Sequence, residues 1–338
     1  MLFKNVSIHT VAHLEAPIRV TSAEISARLA KTLKRVGLPL NYLERMTGIK
    51  ERRFWDKNTL PSDVAAMAAQ KVIEKSGLSK NDIGAIISTS ITKDFIEPSV
   101  ACVVHDNLNM PAECMNFDLS NACLGFLSGI QVACSLIESG QTKHVLVVAG
   151  ESGHDGIEAT LQRLEQDSTT IQDVHDQLST VTLGSGAVAM IISQSTLAPT
   201  GHPIRGLVTL ASTKHNQLCR GWFDRMITDA PKLLAEAVAI KHKTYQKAQK
   251  ELGWQNADFD EFAFHQVSKS YLKMSQKALG IESLKIMSTF PEYGNMGPVS
   301  LPFTISLLEE AGRLIPGKKL AILGTGSGLN SIAMEVQW

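Results

Sequence analysis

The chain has little from which to build a metal centre or a covalent framework. Its five cysteines (Cys102, Cys114, Cys123, Cys134, Cys219) contain no CxxC pair and leave an odd count, which argues against a zinc site and a disulfide scaffold. Charge of either sign is not in excess: Lys plus Arg and Asp plus Glu are 33 each. With no basic stripe, nucleic acid is not expected as a partner. No apolar run approaches the roughly 18 residues of a membrane span. MLFKNVSIHT lacks the apolar core of a signal peptide, so a reducing, cytoplasmic setting is expected.

What is present suits a globular enzyme. At 338 residues, 44% hydrophobic and 20% charged, the chain can bury a large core and make two domains, expected at 1–178 and 179–338. LFKNVSIHTVAH alternates as a strand. Ile25, Leu29 and Leu33 place a helix over 22–33. GIKERRFWD reads as a polar surface loop. Ser62 caps a second helix that Gly77 ends, and Pro98 suits the first turn of another, running to about Leu108. IGAIIS, HVLVVAGE and GAVAMIIS are short buried strands, the last opening the second half. Between Gly153 and Ser179 the chain turns polar, which fits an exposed helical excursion or a mobile lid. A long helix over 232–252 and a strand ending at His265 follow. This alternation of strands and helices is α/β.

The stretch NFDLSNACLGFLSGIQVACSLIESG, from Asn116 to Gly140, organises the rest. An apolar run reaches a tight turn, and Leu124, Leu127, Ile130, Val132 and Leu136 mark roughly one helical face. Ser120 or Asn121 can cap this helix and Gly140 can end it. Cys123 then lies in the first turn, where the dipole favours an anion and lowers a thiol pKa from about 8.5. A small buried hydrophobe is the alternative reading.

The chain also resembles itself: SLIESG at 135–140 matches LLEEAG at 307–312, a shift of 172 residues. That shift lays Asn295 on Cys123, so the sequence reads as two copies of one unit whose helix starts meet near an axis. Singly, the other candidates are weak. His265 lies where α/β sheets place ligands, yet a lone histidine is usually structural. Asn295, beside Gly294, has the composition of a turn, and Glu97 that of a helix-start carboxylate. GTGSG has the spacing GxGxG rather than GxGxxG, with too little chain after it for a nucleotide-binding domain.

Taken together, DLSNACLGF, FHQVS, YGNMGPVSLP and GTGSGLN, in that order, resemble the thiolase-fold ketoacyl synthase III superfamily over essentially the whole chain, including LCRGWFDRM and MEVQW. Within it the likeness is to the acyl-CoA condensing enzymes of bacterial long-chain olefin biosynthesis. The resemblance implies two duplicated mixed-sheet halves in five αβαβα layers. It makes Cys123 the acyl-accepting nucleophile, with its own N–H and that of Ser327 holding the thioester oxygen. His265 and Asn295 would hold the carbonyl oxygen of a second acyl-CoA. Glu97 would be the base, delivered from the neighbouring subunit of a homodimer. Coenzyme A thioesters are substrates, and neither cofactor nor metal is implied; downstream olefin-pathway enzymes are further possible partners.

Chemistry makes Glu97 the discriminating residue. A malonyl donor forms its carbanion by losing carbon dioxide, whereas joining two ordinary acyl thioesters needs a base for a weakly acidic proton. The glutamate in DFIEPS favours the non-decarboxylative Claisen route to a 2-alkyl-3-keto acid. The rivals are a decarboxylating synthase III using malonyl-acyl carrier protein, and a silent partner subunit, which the intact Cys–His–Asn set disfavours. Arg45 and Arg220 are the coenzyme A candidates, suited to phosphate by their planar donors. Asn41 stands where the synthases place a tryptophan.

Overall fold

The computed structural model describes residues 1–222 and 224–338; Phe223, within LCRGWFDRM, lies outside them. The first half runs β1 (Val6–Glu15), β2 (Ile18–Thr21), α1 (Ser22–Arg28), α2 (Ala30–Arg35), α3 (Tyr42–Thr47), β3 (Glu51–Phe54), α4 (Pro61–Ser76) and β4 (Ala85–Ser88). It continues with α5 (Val100–Asn107), β5 (Met115–Asp118), α6 (Gly125–Glu138), β6 (His144–Glu151), α7 (His154–Leu164), α8 (Ile171–Gln177) and β7 (Gly186–Gln194). The second half has β8 (His202–Ala211), β9 (Cys219–Gly221), β10 (Met226–Thr228), α9 (Ala230–Leu252), β11 (Glu261–Phe264) and α10 (Lys269–Leu279). It closes with α11 (Phe290–Tyr293), α12 (Ser300–Glu310), β12 (Lys319–Gly326) and β13 (Asn330–Gln337).

Nine strands form one sheet in the order β11-β12-β13-β8-β1-β7-β6-β4-β5. It mirrors about the short antiparallel contact of β1 with β8, where Ser7 faces Pro203 and Ile8 faces His202. On one side β7 runs antiparallel to β6 and β6 parallel to β4; on the other β13 runs antiparallel to β12 and β12 parallel to β11. The duplication inferred from the 172-residue shift is this mirror. α6 and α12 share one apolar core with strands of both halves, through Leu127, Ile130, Leu301 and Ile305. Each such buried side chain contributes about 1.5–3 kcal/mol. α4 and α9 cover the outer faces of the two half-sheets, completing five layers.

Several local expectations are corrected. β7 pairs with both β1 and β6, so the halves divide between β7 and β8 and not at 178/179. GIKERRFWD is no surface loop: β3 pairs with β2, and Arg52 is buried, donating to Ser22 Oγ at 3.1 Å and the Val181 carbonyl at 3.0 Å. Helix 22–33 breaks at Leu29 into α1 and α2, although Ile25, Leu29 and Leu33 do share a buried face. Ser62 is buried inside α4 rather than capping it. Pro98 precedes α5, whose cap is Ser99, accepting from Cys102 N–H at 3.1 Å. The polar segment after Gly153 forms α7 and α8, which bury Ile157, Leu161, Leu164 and Val174 against α1 and α2. Gly77, Gly140 and Gly253 take the left-handed conformation expected at helix ends.

Candidate active site

β5 delivers the chain to a single 3₁₀ turn, Ala122–Leu124, and α6 begins only at Gly125. Ala122 holds φ +46°, a left-handed conformation costing an alanine roughly 1–2 kcal/mol. Cys123 follows it and faces the cavity. Asn121 makes no capping bond: its side chain donates to Ser128 Oγ and accepts from Asn330 Nδ2, both at 2.9 Å, tying the turn to β13. The thiol is not acidified as the dipole argument anticipated. Burial, with Cys219 and Glu151 adding to it, pushes Cys123 up to about 12, and no cation acts on it.

His265 follows β11, its N–H on the Leu323 carbonyl at 3.1 Å. Its ring is buried, and among the described residues neither ring nitrogen has a partner. Burial, then Lys241, pushes it down to about 3, so the imidazole is neutral. Sequence reasoning missed Lys241, a buried amine on α9 pushed down to about 7. It donates to Ser275 Oγ at 3.0 Å and lies 4.1 Å from the Tyr271 ring centre. Its spacing of four from Ala237 and Tyr245, on the buried stripe of α9, was the available signal.

Asn295 is fixed by backbone pairing across the halves: its N–H donates to the Thr182 carbonyl at 2.9 Å, and its carbonyl accepts from Gly184 N–H at 3.0 Å. This contact needs glycine, because a Cβ on Gly184 would stand 2.0 Å from the Tyr293 carbonyl oxygen. The Asn295 Oδ1 accepts from Gly297 N–H at 3.0 Å, leaving the amide NH₂ as its outward end.

Cys123, His265, Asn295 and Ser327 converge on one cavity of about 690 Å³, within the usual range for small-molecule sites. α3 adds Tyr42 and Met46 to its wall, α8 adds His175, and α9 adds Leu233 and Leu234. Glu97 is not brought in: it lies exposed beyond β4 and lines no part of this cavity. Arg45 and Arg220 are also exposed, the first on α3 and the second stacked 5.6 Å from the Trp222 ring centre. Glu151, buried at the end of β6 and pushed up to about 7, was likewise missed. A charge closing the all-apolar run HVLVVAGE was its signal. Among the described residues there is no cluster able to hold a metal ion and no helix long and apolar enough to cross a membrane.

A mirrored sheet around two buried helices, with a cysteine at one helix start and an asparagine before the other, defines a thiolase-fold acyltransferase. Models of 3-oxoacyl-[acyl-carrier-protein] synthase III match residues 117–209 and, for its C-terminal part, 249–338. The chain belongs to this synthase III family. Within the family it is 41% identical, over all of both chains, to the acyl-CoA:acyl-CoA alkyltransferase of Xanthomonas campestris. It is 36% identical, again over all of both, to that of Shewanella oneidensis. The β-ketoacyl-[acyl-carrier-protein] synthase III of Natranaerobius thermophilus is 28% identical, over 88% of this chain and 91% of its own. Crystal structures of Xanthomonas OleA match with TM-score 0.98 over 100% of this chain and at least 98% of theirs. They include a cerulenin complex, one with bound lauric acid and lauroyl-CoA, and forms with a cysteine, a histidine or a glutamate replaced.

Proposed function

We infer that the protein condenses two long-chain acyl-CoA molecules, without decarboxylation, to a 2-alkyl-3-keto acid. The observation that carries this is the convergence of Cys123, His265, Asn295 and Ser327 on one cavity while Glu97 stands exposed outside it. Cys123 attacks the first thioester, releasing coenzyme A, and the N–H groups of Cys123 and Ser327 receive the oxygen. An imidazole pushed down to about 3 facing a thiol pushed up to about 12 is a poor proton acceptor. His265 therefore works as a neutral donor, and with the Asn295 amide it stabilises the enolate oxygen of the second thioester. Glu97 removes the α-proton, and the resulting carbanion attacks the acyl carbon held on Cys123 and expels the cysteine sulfur. Water then cleaves the remaining coenzyme A thioester to release the free keto acid. The reaction uses no cofactor.

In the Xanthomonas enzyme the replaced glutamate precedes the replaced cysteine by 26 positions and the replaced histidine follows it by 142. The same separations part Glu97 from Cys123 and Cys123 from His265. An exposed base must reach a reacting carbon, and the neighbouring subunit of a homodimer supplies that carbon. β5 is an edge strand, and Phe95, Ile96 and Met115 are exposed apolar side chains along and near it, the composition of a face awaiting a second copy. Arg45 and Arg220, on elements that border the cavity, are the phosphate-binding candidates. A cytoplasmic location fits five free cysteines.

The decarboxylating reading is disfavoured by the greater identity to the alkyltransferases. The test supplies purified protein with tetradecanoyl-CoA alone and follows free thiol and keto acid by mass spectrometry. Product without a malonyl donor is expected, and Glu97→Ala should release one coenzyme A per site yet form no carbon–carbon bond. Dependence on malonyl-acyl carrier protein would overturn the reading.

A further inference from the structure

The segment that carries Glu97, residues 89–99, is anchored at both ends by carboxyl groups. At its start, Glu151 accepts from Ile91 N–H at 2.6 Å, Thr92 N–H at 3.1 Å and Thr92 Oγ1 at 2.9 Å. At its end, Asp118 on β5 accepts from Lys93 Nζ at 2.8 Å, Val100 N–H at 3.2 Å and Ala101 N–H at 2.9 Å. Asp94 is occupied too, taking Ser62 N–H at 3.1 Å. Between the anchors Phe95, Ile96, Glu97 and Pro98 are exposed. A short loop fixed on each side and bare at its tip presents Glu97 in a set direction.

Glu151 differs from Asp118 in what lies behind it. Its carboxyl carbon packs 3.9 Å from where a Cβ on Gly297 would sit, and Gly297 N–H orients the Asn295 side chain. It is also among the groups acting on the Cys123 thiol. One buried carboxyl thus lies behind the turn that holds Asn295 of its own subunit's cavity while shaping a loop that carries Glu97 outside it.

We propose that Glu151 is a positioning residue for the condensation step, acting through the Glu97 loop and hence on the site of the neighbouring subunit. This rests on the homodimeric reading above, in which Glu97 crosses between subunits. In Glu151→Gln one of the two carboxyl oxygens becomes an NH₂ donor, so either Ile91 N–H or Thr92 N–H loses its acceptor and the loop must shift. A displacement of about 1 Å at a proton-abstracting group costs on the order of 100-fold.

Mixed dimers, purified through two different tags, test this. In the first, one subunit carries Glu151→Gln with Cys123 intact and the other carries Cys123→Ala with Glu151 intact. The acylated site then receives an unaltered loop, and condensation per acylated site should recover to within about twofold of a Cys123→Ala/wild-type dimer. In the second, both changes lie on one chain paired with wild type; acylation should persist while condensation falls on the order of 100-fold. The reverse pattern would place the action of Glu151 in its own cavity and overturn the proposal, as would an unaltered Glu151→Gln homodimer. Glu97→Ala, read in the same two arrangements, separates the premises: a same-subunit pattern for Glu97 sinks the dimer reading, whereas a cross-subunit pattern for Glu97 alone sinks only the role of Glu151. Should Glu151→Gln not fold, Thr92→Val removes one of the three bonds and should give the same pattern at smaller amplitude.

Discussion

Alkylation of Cys123 in the free enzyme is a direct measure of how its turn treats charge. With the thiol pushed up to about 12, roughly one molecule in 10⁴ is thiolate at pH 8, against about a quarter for an ordinary thiol of pKa 8.5. The population is thus about 2,000-fold smaller. A more basic thiolate is a stronger nucleophile, and a Brønsted slope of 0.4–0.5 over about 3.5 units returns about 25- to 55-fold, about 40-fold at the middle of that range. Iodoacetamide should therefore label Cys123 about 60-fold more slowly than an unperturbed thiol. The rate should rise tenfold per pH unit from 7 to beyond 10 without levelling. Quenched samples are digested and the Cys123 peptide quantified by mass spectrometry, with the exposed Cys102 read from the same digest as reference. A plateau below pH 9 would refute the reasoning. It would mean that the start of α6 stabilises the thiolate and that burial is the weaker effect.

The remaining expectations concern the histidine, the crossing between halves and the buried glutamate. On the proposed mechanism His265→Ala removes one oxyanion donor and should lower condensation on the order of 10²- to 10³-fold. Because burial holds this imidazole near 3, turnover should show no inflection between pH 5 and 7 that His265→Asn abolishes; finding one would contradict the neutral-donor role. Gly184→Ala drives a Cβ into the Tyr293 carbonyl and should cost about 1–3 kcal/mol in urea unfolding, whereas Gly156→Ala on α7, with open space at its Cβ, should not destabilise. Glu151 is raised from its ordinary 4.5 to about 7, so the folded state keeps a proton that the unfolded chain has lost. Stability should fall by about 3 kcal/mol as pH rises from 4.5 to 7, and Glu151→Gln should remove that slope. An unchanged slope would assign the proton elsewhere.

What the sequence made legible was local or repeated. The helix faces of α4, α6 and α9 follow from spacing, and the pairing of the Cys123 and Asn295 turns follows from an internal shift of 172 residues. What it concealed depends on partners far along the chain. The two arginines in GIKERRFWD look solvated until Arg52 is seen to satisfy Ser22 and Val181, which lie 30 and 129 residues away. Lys241 breaks the lysine-rich exterior of α9 only because Ser275 and Tyr271 arrive from α10. The depressed imidazole and the raised thiol are consequences of enclosure, and enclosure is not written in any window of sequence.

The duplication explains why one cavity, rather than two, carries the chemistry. Equivalent connections differ in each half, and each difference serves the same space. The link from β6 to β7 carries α7 and α8, and α8 brings His175 to the cavity wall; the matching link from β12 to β13 is a three-residue turn that brings Ser327 there. The loop after β11 is short and leaves His265 buried in its own subunit. The loop after β4 is longer, is anchored by Glu151 and Asp118, and carries Glu97 out to the surface. A symmetric ancestor of this arrangement would place like residues at both helix starts. Divergence into a cysteine on one side and an asparagine on the other brings a thiol and an amide from opposite halves to one cavity. That division requires the halves to stay in register across the Thr182–Asn295 contact, which is why the glycines there tolerate no side chain.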